Sequence, residues 1–126
     1  MFGTAHPSVG IVSGIVQFKG AMSTTGTNQV AFTLPKAFRP ATDVYVPVDL
    51  CNSAEGRLFI LPSGVVTVTT EETLSDAQCF TSLDGASFAR TASGFRSLKP
   101  KNGWKNRAFN TAPVGLTSLE GVSFTR

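Results

Sequence analysis

Few of the 126 residues carry side chains that do chemistry, and those few lie far apart. The single histidine, His6, precedes Pro7 in a Gly- and Pro-containing start, so a Ser-His-Asp site would have to work from one end of the chain. Zinc-type sites draw on clustered Cys and His, which two distant cysteines and one histidine do not supply. No Gly-rich phosphate loop or dinucleotide fingerprint occurs, and the glycines are spaced as turns. Paired carboxylates can hydrolyse glycosides, but Asp43, Asp49, Glu55 and Asp84 fall at strand ends or turns, where such groups cap and solubilise. The residue types therefore predict no enzyme, no metal and no cofactor.

Two constellations remain. Cys51 ends one apolar run and Cys79 begins another. A disulfide between them would stabilise the fold by about 3 kcal/mol, provided the Cα atoms come within about 7 Å. The alternative is a pair of buried thiols acting as small hydrophobes, common in proteins assembled in a cytosol, and both readings stay open. Trp104, the one tryptophan, lies among Lys99, Lys101, Asn102, Lys105 and Arg107. Cations interleaved with an aromatic suit nucleic acid, through phosphate contact and stacking. They equally suit a glycan, with Trp104 on a sugar face and Asn102 hydrogen bonding. They also suit a groove between subunits, with the lysines keeping the segment soluble.

The elements that must position these residues follow from composition and periodicity. Only 15% of residues are charged, against about 25% in an average soluble domain. Phe, Val, Thr and Gly dominate, which favours strands and tight turns over helices. The longest apolar run falls short of the ~20 residues of a membrane helix, and MFGTAHPSVG has no signal-peptide pattern. A helical bundle, a membrane-inserted chain and a disordered tail are not expected. The net charge of +3 divides into −3 over residues 1–89 and +6 over residues 90–126. That split suggests an acidic partner for the second part, or head-to-tail contact between copies.

Period-2 alternation predicts strands at 11–19 (alternating after Gly14), 29–34, 44–50, 57–61, 64–70, 78–83, 86–90, 116–119 and 122–126. Val30, Phe32 and Leu34 are expected on one face of the second run, and Val44, Val46, Val48 and Leu50 on one face of the third. Pro47 marks the third run as an edge strand or a bulge. Pro62-Ser63-Gly64 closes a hairpin. Residues 70–78 read as a loop or wide hairpin end, and residues 91–107 as a connector too long to be idle. Turn signals every 8–12 residues predict an all-β, antiparallel sandwich or barrel. The domain division is residues 1–90 as the β-module and residues 91–126 as a basic linker and hairpin arm. That arm packs on its own or a neighbouring subunit. Thr81-Ser82-Leu83-Asp84-Gly85-Ala86-Ser87-Phe88 returns 36 residues later as Thr117-Ser118-Leu119-Glu120-Gly121-Val122-Ser123-Phe124. Phe2-Gly3-Thr4-Ala5 with Gly14 is echoed by Phe109-Asn110-Thr111-Ala112 with Gly121.

A set of motifs carries a family likeness. The runs IVQFKG (15–20), FTLPKAFRP (32–40), VPV (46–48), GRL (56–58), PSGVV (62–66) and SLDGASF (82–88) occur in that order. Together they resemble a module of tailed-bacteriophage tail fibres and related virion surface proteins, over about residues 11–90. Asn102-Gly103-Trp104 resembles the stretch that commonly precedes such a module; here it follows one. The resemblance implies a jelly-roll-like, trimeric domain on a virion assembled in a host cytoplasm. Its expected role is host attachment, to a cell-surface polysaccharide, without catalytic residues. The rival expectations are a purely structural decoration protein docking on other virion proteins through its basic arm, and, less expected, a nucleic-acid-binding β-protein. Arg39 could reach a carboxylate such as Asp43 across a subunit boundary.

Overall fold

The computed structural model describes residues 6–103 except 72, 92, 95 and 97, together with Leu119. Over these residues the protein is mostly β, with antiparallel sheets and one short helix. Ser8–Val12 (β1) and Ile15–Lys19 (β2) form a hairpin, joined by Ser13 and Gly14, both at positive φ (51° and 78°). Such a turn matches the natural twist of the two strands, and Gly14 meets its φ without a Cβ penalty. The alternating run read at 11–19 is thus two strands, with Ile11 and Val12 solvent-exposed on β1. Ser87–Ala89 (β9) pairs with the other edge of β2.

Ala21–Met22 (β3) pairs with Thr81–Ser82 (β8) in a small second sheet. The largest sheet contains Val30–Thr33 (β4), Val44–Asp49 (β5), Glu55–Ile60 (β6) and Val65–Thr70 (β7), in the order β4-β7-β6-β5. The β6–β7 hairpin turns at Pro62-Ser63-Gly64, where Gly64 has φ 92° and its N–H bonds Leu61 O at 2.8 Å. Pro47 lies on β5, at the edge of this sheet, where its missing N–H leaves no gap in an interior ladder. β5 meets β8 at a single bridge, Leu50 to Thr81.

Alternation decides which side chains go inside. Val44, Val46, Val48 and Leu50 are buried, as are Leu58, Ile60, Val66 and Val68 from the adjoining hairpin. Val16, Phe18 and Phe88 from the first sheet join the same cluster, with Phe18 6.1 Å ring to ring from both Phe88 and Phe32. Each large apolar side chain buried this way contributes roughly 1.5–3 kcal/mol. On β5 and β6, Tyr45 stacks on its cross-strand partner Phe59 at 4.8 Å and 9°.

Two expectations need correction. Residues 70–78 are not simply a loop, because Leu74–Cys79 forms a helix (α1), which leaves only Thr81–Ser82 of the run at 78–83 as strand. Val30 does not share an inward face with Phe32 and Leu34: the register shifts between Val30 and Phe32, and Val30 is 47% exposed. Within its own chain Arg39 donates from Nε to Leu34 O at 3.0 Å. The expected strands at 116–119 and 122–126, and hence the hairpin arm, lie outside the described residues.

Several of the motif runs and the residues that flank them are hydrogen-bonded to one another. Leu34 N–H bonds Gly64 O (2.8 Å), Ala41 N–H bonds Arg90 O (2.8 Å), and Arg90 Nε donates back to Arg39 O (3.0 Å). The corner after Leu34 is tightened by the turn Lys36–Phe38, whose Phe38 N–H reaches Pro35 O at 2.9 Å. At the opposite end of the motif set, Gly20 N–H donates to Asp84 Oδ1 at 2.8 Å and Leu83 N–H to Gly20 O at 2.8 Å. FTLPKAFRP, PSG, IVQFKG and SLDGASF are thus the fastenings of the frame.

Candidate functional site

The six residues of α1 are too few for a self-supporting helix. Tertiary bonds hold it instead. Cys79, its last residue, is joined by a disulfide to Cys51 in the short turn Cys51–Ser53, with Cα atoms 5.9 Å apart. Asn52 in that turn adopts a left-handed φ of 62° and donates from Nδ2 to Asp76 Oδ1 at 3.0 Å. Thr73 Oγ1 donates to Asp76 Oδ2 at 3.4 Å, so both oxygens of this buried carboxylate are engaged. Below, Thr81 Oγ1 donates to Ala77 O at 2.9 Å. The crosslink and the Asp76 bonds fasten α1 to the end of β5.

Held in this way, α1 forms one wall of a cleft of about 240 Å³. The opposite wall is the turn-rich segment between β3 and β4, and Met22, Val68, Leu74 and Ala77 contribute apolar surface. Ser23, Thr24, Asn28, Gln29 and Gln78 add hydroxyls and amides. None of its described lining residues is charged. Thr24 Oγ1 accepts from Gly26 N–H and Asn28 Oδ1 from Val30 N–H, both at 3.0 Å, so the segment is fixed by its own side chains. Gln78 bridges the walls: its Nε2 donates to Gly26 O at 2.7 Å, and its carbonyl accepts from Thr24 N–H at 3.0 Å. The bond from Val68 N–H to Gln29 O (2.9 Å) ties the segment to β7. The arrangement offers neutral donors and acceptors beside an apolar surface. Its described lining residues include no nucleophile-base pair.

The residues singled out from sequence are elsewhere. Lys99, Lys101 and Asn102 are exposed and line no part of this cleft. Asn102 and Gly103 form a turn, both at positive φ (56° and 88°). Trp104, Lys105 and Arg107 lie outside the described residues. Asp49 and Glu55 face each other as cross-strand partners at the joined ends of β5 and β6, Asp43 just precedes β5, and Asp84 lies in a turn where Gly20 N–H holds it. Among the described residues, no group of three or more His, Cys, Asp or Glu is placed to hold a metal ion. Sequence reasoning missed the cleft because its walls bring together ordinary Ser, Thr, Asn and Gln from separate segments. The one available signal was the turn-rich run Ser23–Asn28 followed by a strand. Compared with protein-family models, curated proteins and solved structures, the chain matches none of them.

Proposed function

We propose that this chain is a non-enzymatic surface module of a tailed-phage virion or phage-derived particle, serving host attachment through a cell-surface glycan. In this reading its sheets form a jelly-roll-like sandwich, three copies associate, and residues 91–126 contact a neighbour or a virion partner. The observation that carries the reading is the motif set itself: its members, ordered along residues 15–88, fasten one another at the two ends of the frame. Two further features agree with it. A disulfide suits a protein that works in an oxidising exterior. A low share of charged residues suits a surface partly covered by identical copies.

The exposed Lys99 and Lys101 favour a second reading, in which the basic segment docks on an acidic capsid or tail lattice and no receptor is bound. Deleting residues 91–126 separates the two. Under the attachment reading with Trp104, Lys99, Lys101, Asn102, Lys105 and Arg107 as ligand contacts, the particle keeps the protein but loses adsorption to host cells. Under the docking reading the protein leaves the particle. Light scattering behind gel filtration tests the assembly; a monomer of 13.3 kDa at micromolar concentration overturns the trimer.

A further inference from the structure

The lining of the cleft beside α1 has a property that the motif frame lacks. Its residues come from 22–31 and 68–81, and none belongs to a run that carries the family likeness. We propose that this cleft is a binding subsite for one uncharged, hydroxyl-rich ring, such as a neutral hexose or N-acetylhexosamine, distinct from the exposed Lys99, Lys101 and Asn102. The inference rests on the attachment reading for its biological setting, though the chemistry of the cleft stands on its own.

Three observations select the ligand class. First, none of the described lining residues is charged, so among them a uronate, sialate or phosphate finds no counter-charge for the hydration it loses. Second, the rim groups are hydroxyls and carboxamides, which donate and accept at once, as sugar hydroxyls do. Asn28 uses Oδ1 on Val30 N–H and keeps its amide donors; Gln78 uses Nε2 on Gly26 O and keeps Oε1. Ser23 and Gln29 add further groups of the same kind. Third, Met22, Val68, Leu74 and Ala77 provide an apolar surface for the C–H face of a ring. The size agrees: about 240 Å³ is below the ~300–1,000 Å³ of pockets for drug-sized ligands, which fits one ring and not a chain of them. The turn hydrogen bonds and the disulfide hold the walls before any ligand arrives, so little ordering is lost on binding.

The test is a titration of the full, oxidised chain, followed by amide NMR, with methyl glycosides of neutral hexoses and N-acetylhexosamines and with the matching uronic acid. Saturable shifts are expected in residues 22–31 and 74–81 with at least one neutral probe. The uronic acid should bind about tenfold more weakly, and Asn28→Ala should weaken the neutral probe by about three- to tenfold. Ala31→Trp, at an exposed β4 position on the cleft, should abolish the shifts while thermal unfolding stays near wild type. Silence with every neutral probe, shifts confined to residues 99–103, or tighter binding of the uronic acid would overturn the subsite. Host-cell adsorption, measured in parallel, keeps the two readings apart. Normal adsorption by a wild-type chain that gives no shift with any neutral probe sinks the subsite and spares attachment. Neutral binding without adsorption does the reverse.

Discussion

The four-stranded sheet and the wall formed by α1 are neighbours in space and opposites in how they hold together. The sheet rests on continuous ladders and on side chains such as Leu58, Ile60 and Val66, each with no exposed surface. The wall has six helical residues, two of them buried, and depends on a disulfide, the Asp76 hydrogen bonds and the Gln78 bridge. A region held by apolar burial loses stability gradually and everywhere when trimmed. A region held by a few specific bonds loses its shape locally. The difference places tolerance for change in the cleft and intolerance in the frame.

The strongest challenge to that contrast is Phe88→Ala. Phe88 is 1% exposed and packs on Phe18, so its truncation should cost about 3–5 kcal/mol in urea unfolding. Ser23→Ala, on the exposed cleft rim, should stay within about 0.5 kcal/mol. Comparable losses at the two sites would erase the distinction.

Next comes the crosslink. Replacing Cys51 and Cys79 together by Ala should lower stability by about 3.5 kcal/mol, the chain-entropy expectation for a loop of this length. The local signature is sharper: amide exchange should quicken in residues 74–79 well before it does in β5–β7. Uniform quickening would show that the disulfide supports the sheet as much as the wall. Cys79 is exposed, so mild reductant under native conditions should give the same pattern.

Gly64→Ala probes the frame from the backbone. A Cβ at Gly64 would lie 2.6 Å from Arg39 Nε and 2.8 Å from Leu34 O, at a φ of 92°. The substitution should cost more than about 1 kcal/mol and disturb the Arg39–Leu34 bond while leaving the cleft intact. Loss of cleft binding in this variant would mean that the two regions are coupled.

The smallest effect is confined to alkaline pH. Burial, then the charge of Asp43, pushes the Tyr45 hydroxyl above the ordinary tyrosine range, with Arg57 opposing. The unfolded chain would ionise this tyrosine first, near pH 10. The contribution is therefore complete below about pH 10 and fades as pH climbs through the folded value. Tyr45→Phe should flatten the alkaline limb of the melting-temperature profile and leave neutral pH nearly unchanged. An unaltered limb would remove Tyr45 as its cause.

How much was legible follows from the same contrast. Where burial alternates with period two, as at Val44 to Leu50 or across the β6–β7 hairpin, the pattern of side chains is itself the physical cause of the strand. The Pro47 edge position was legible for the same kind of reason, a missing donor. α1 was not, because six residues show no periodicity and the bonds that stabilise them come from Cys51 and Asn52, more than twenty residues away. Val30 misled because a register shift beside it breaks the alternation that its neighbours keep. The cleft was illegible for a deeper reason: hydroxyl and amide side chains announce nothing until the fold sets them around one space. The cysteine pair was visible, and its two readings differed by a distance that only the fold supplies.

The edges of the large sheet have a consequence for how copies can associate. A sheet edge with a regular row of free N–H and C=O groups invites another strand, and with it open-ended growth. Here one edge, β4, is only four residues long and has a shift in its register, and the other, β5, contains Pro47, which offers no N–H. An incoming strand finds an interrupted row on either side. The sheet is thus self-limiting at four strands. Copies held close together can touch through their side chains without zipping into a fibril along this sheet.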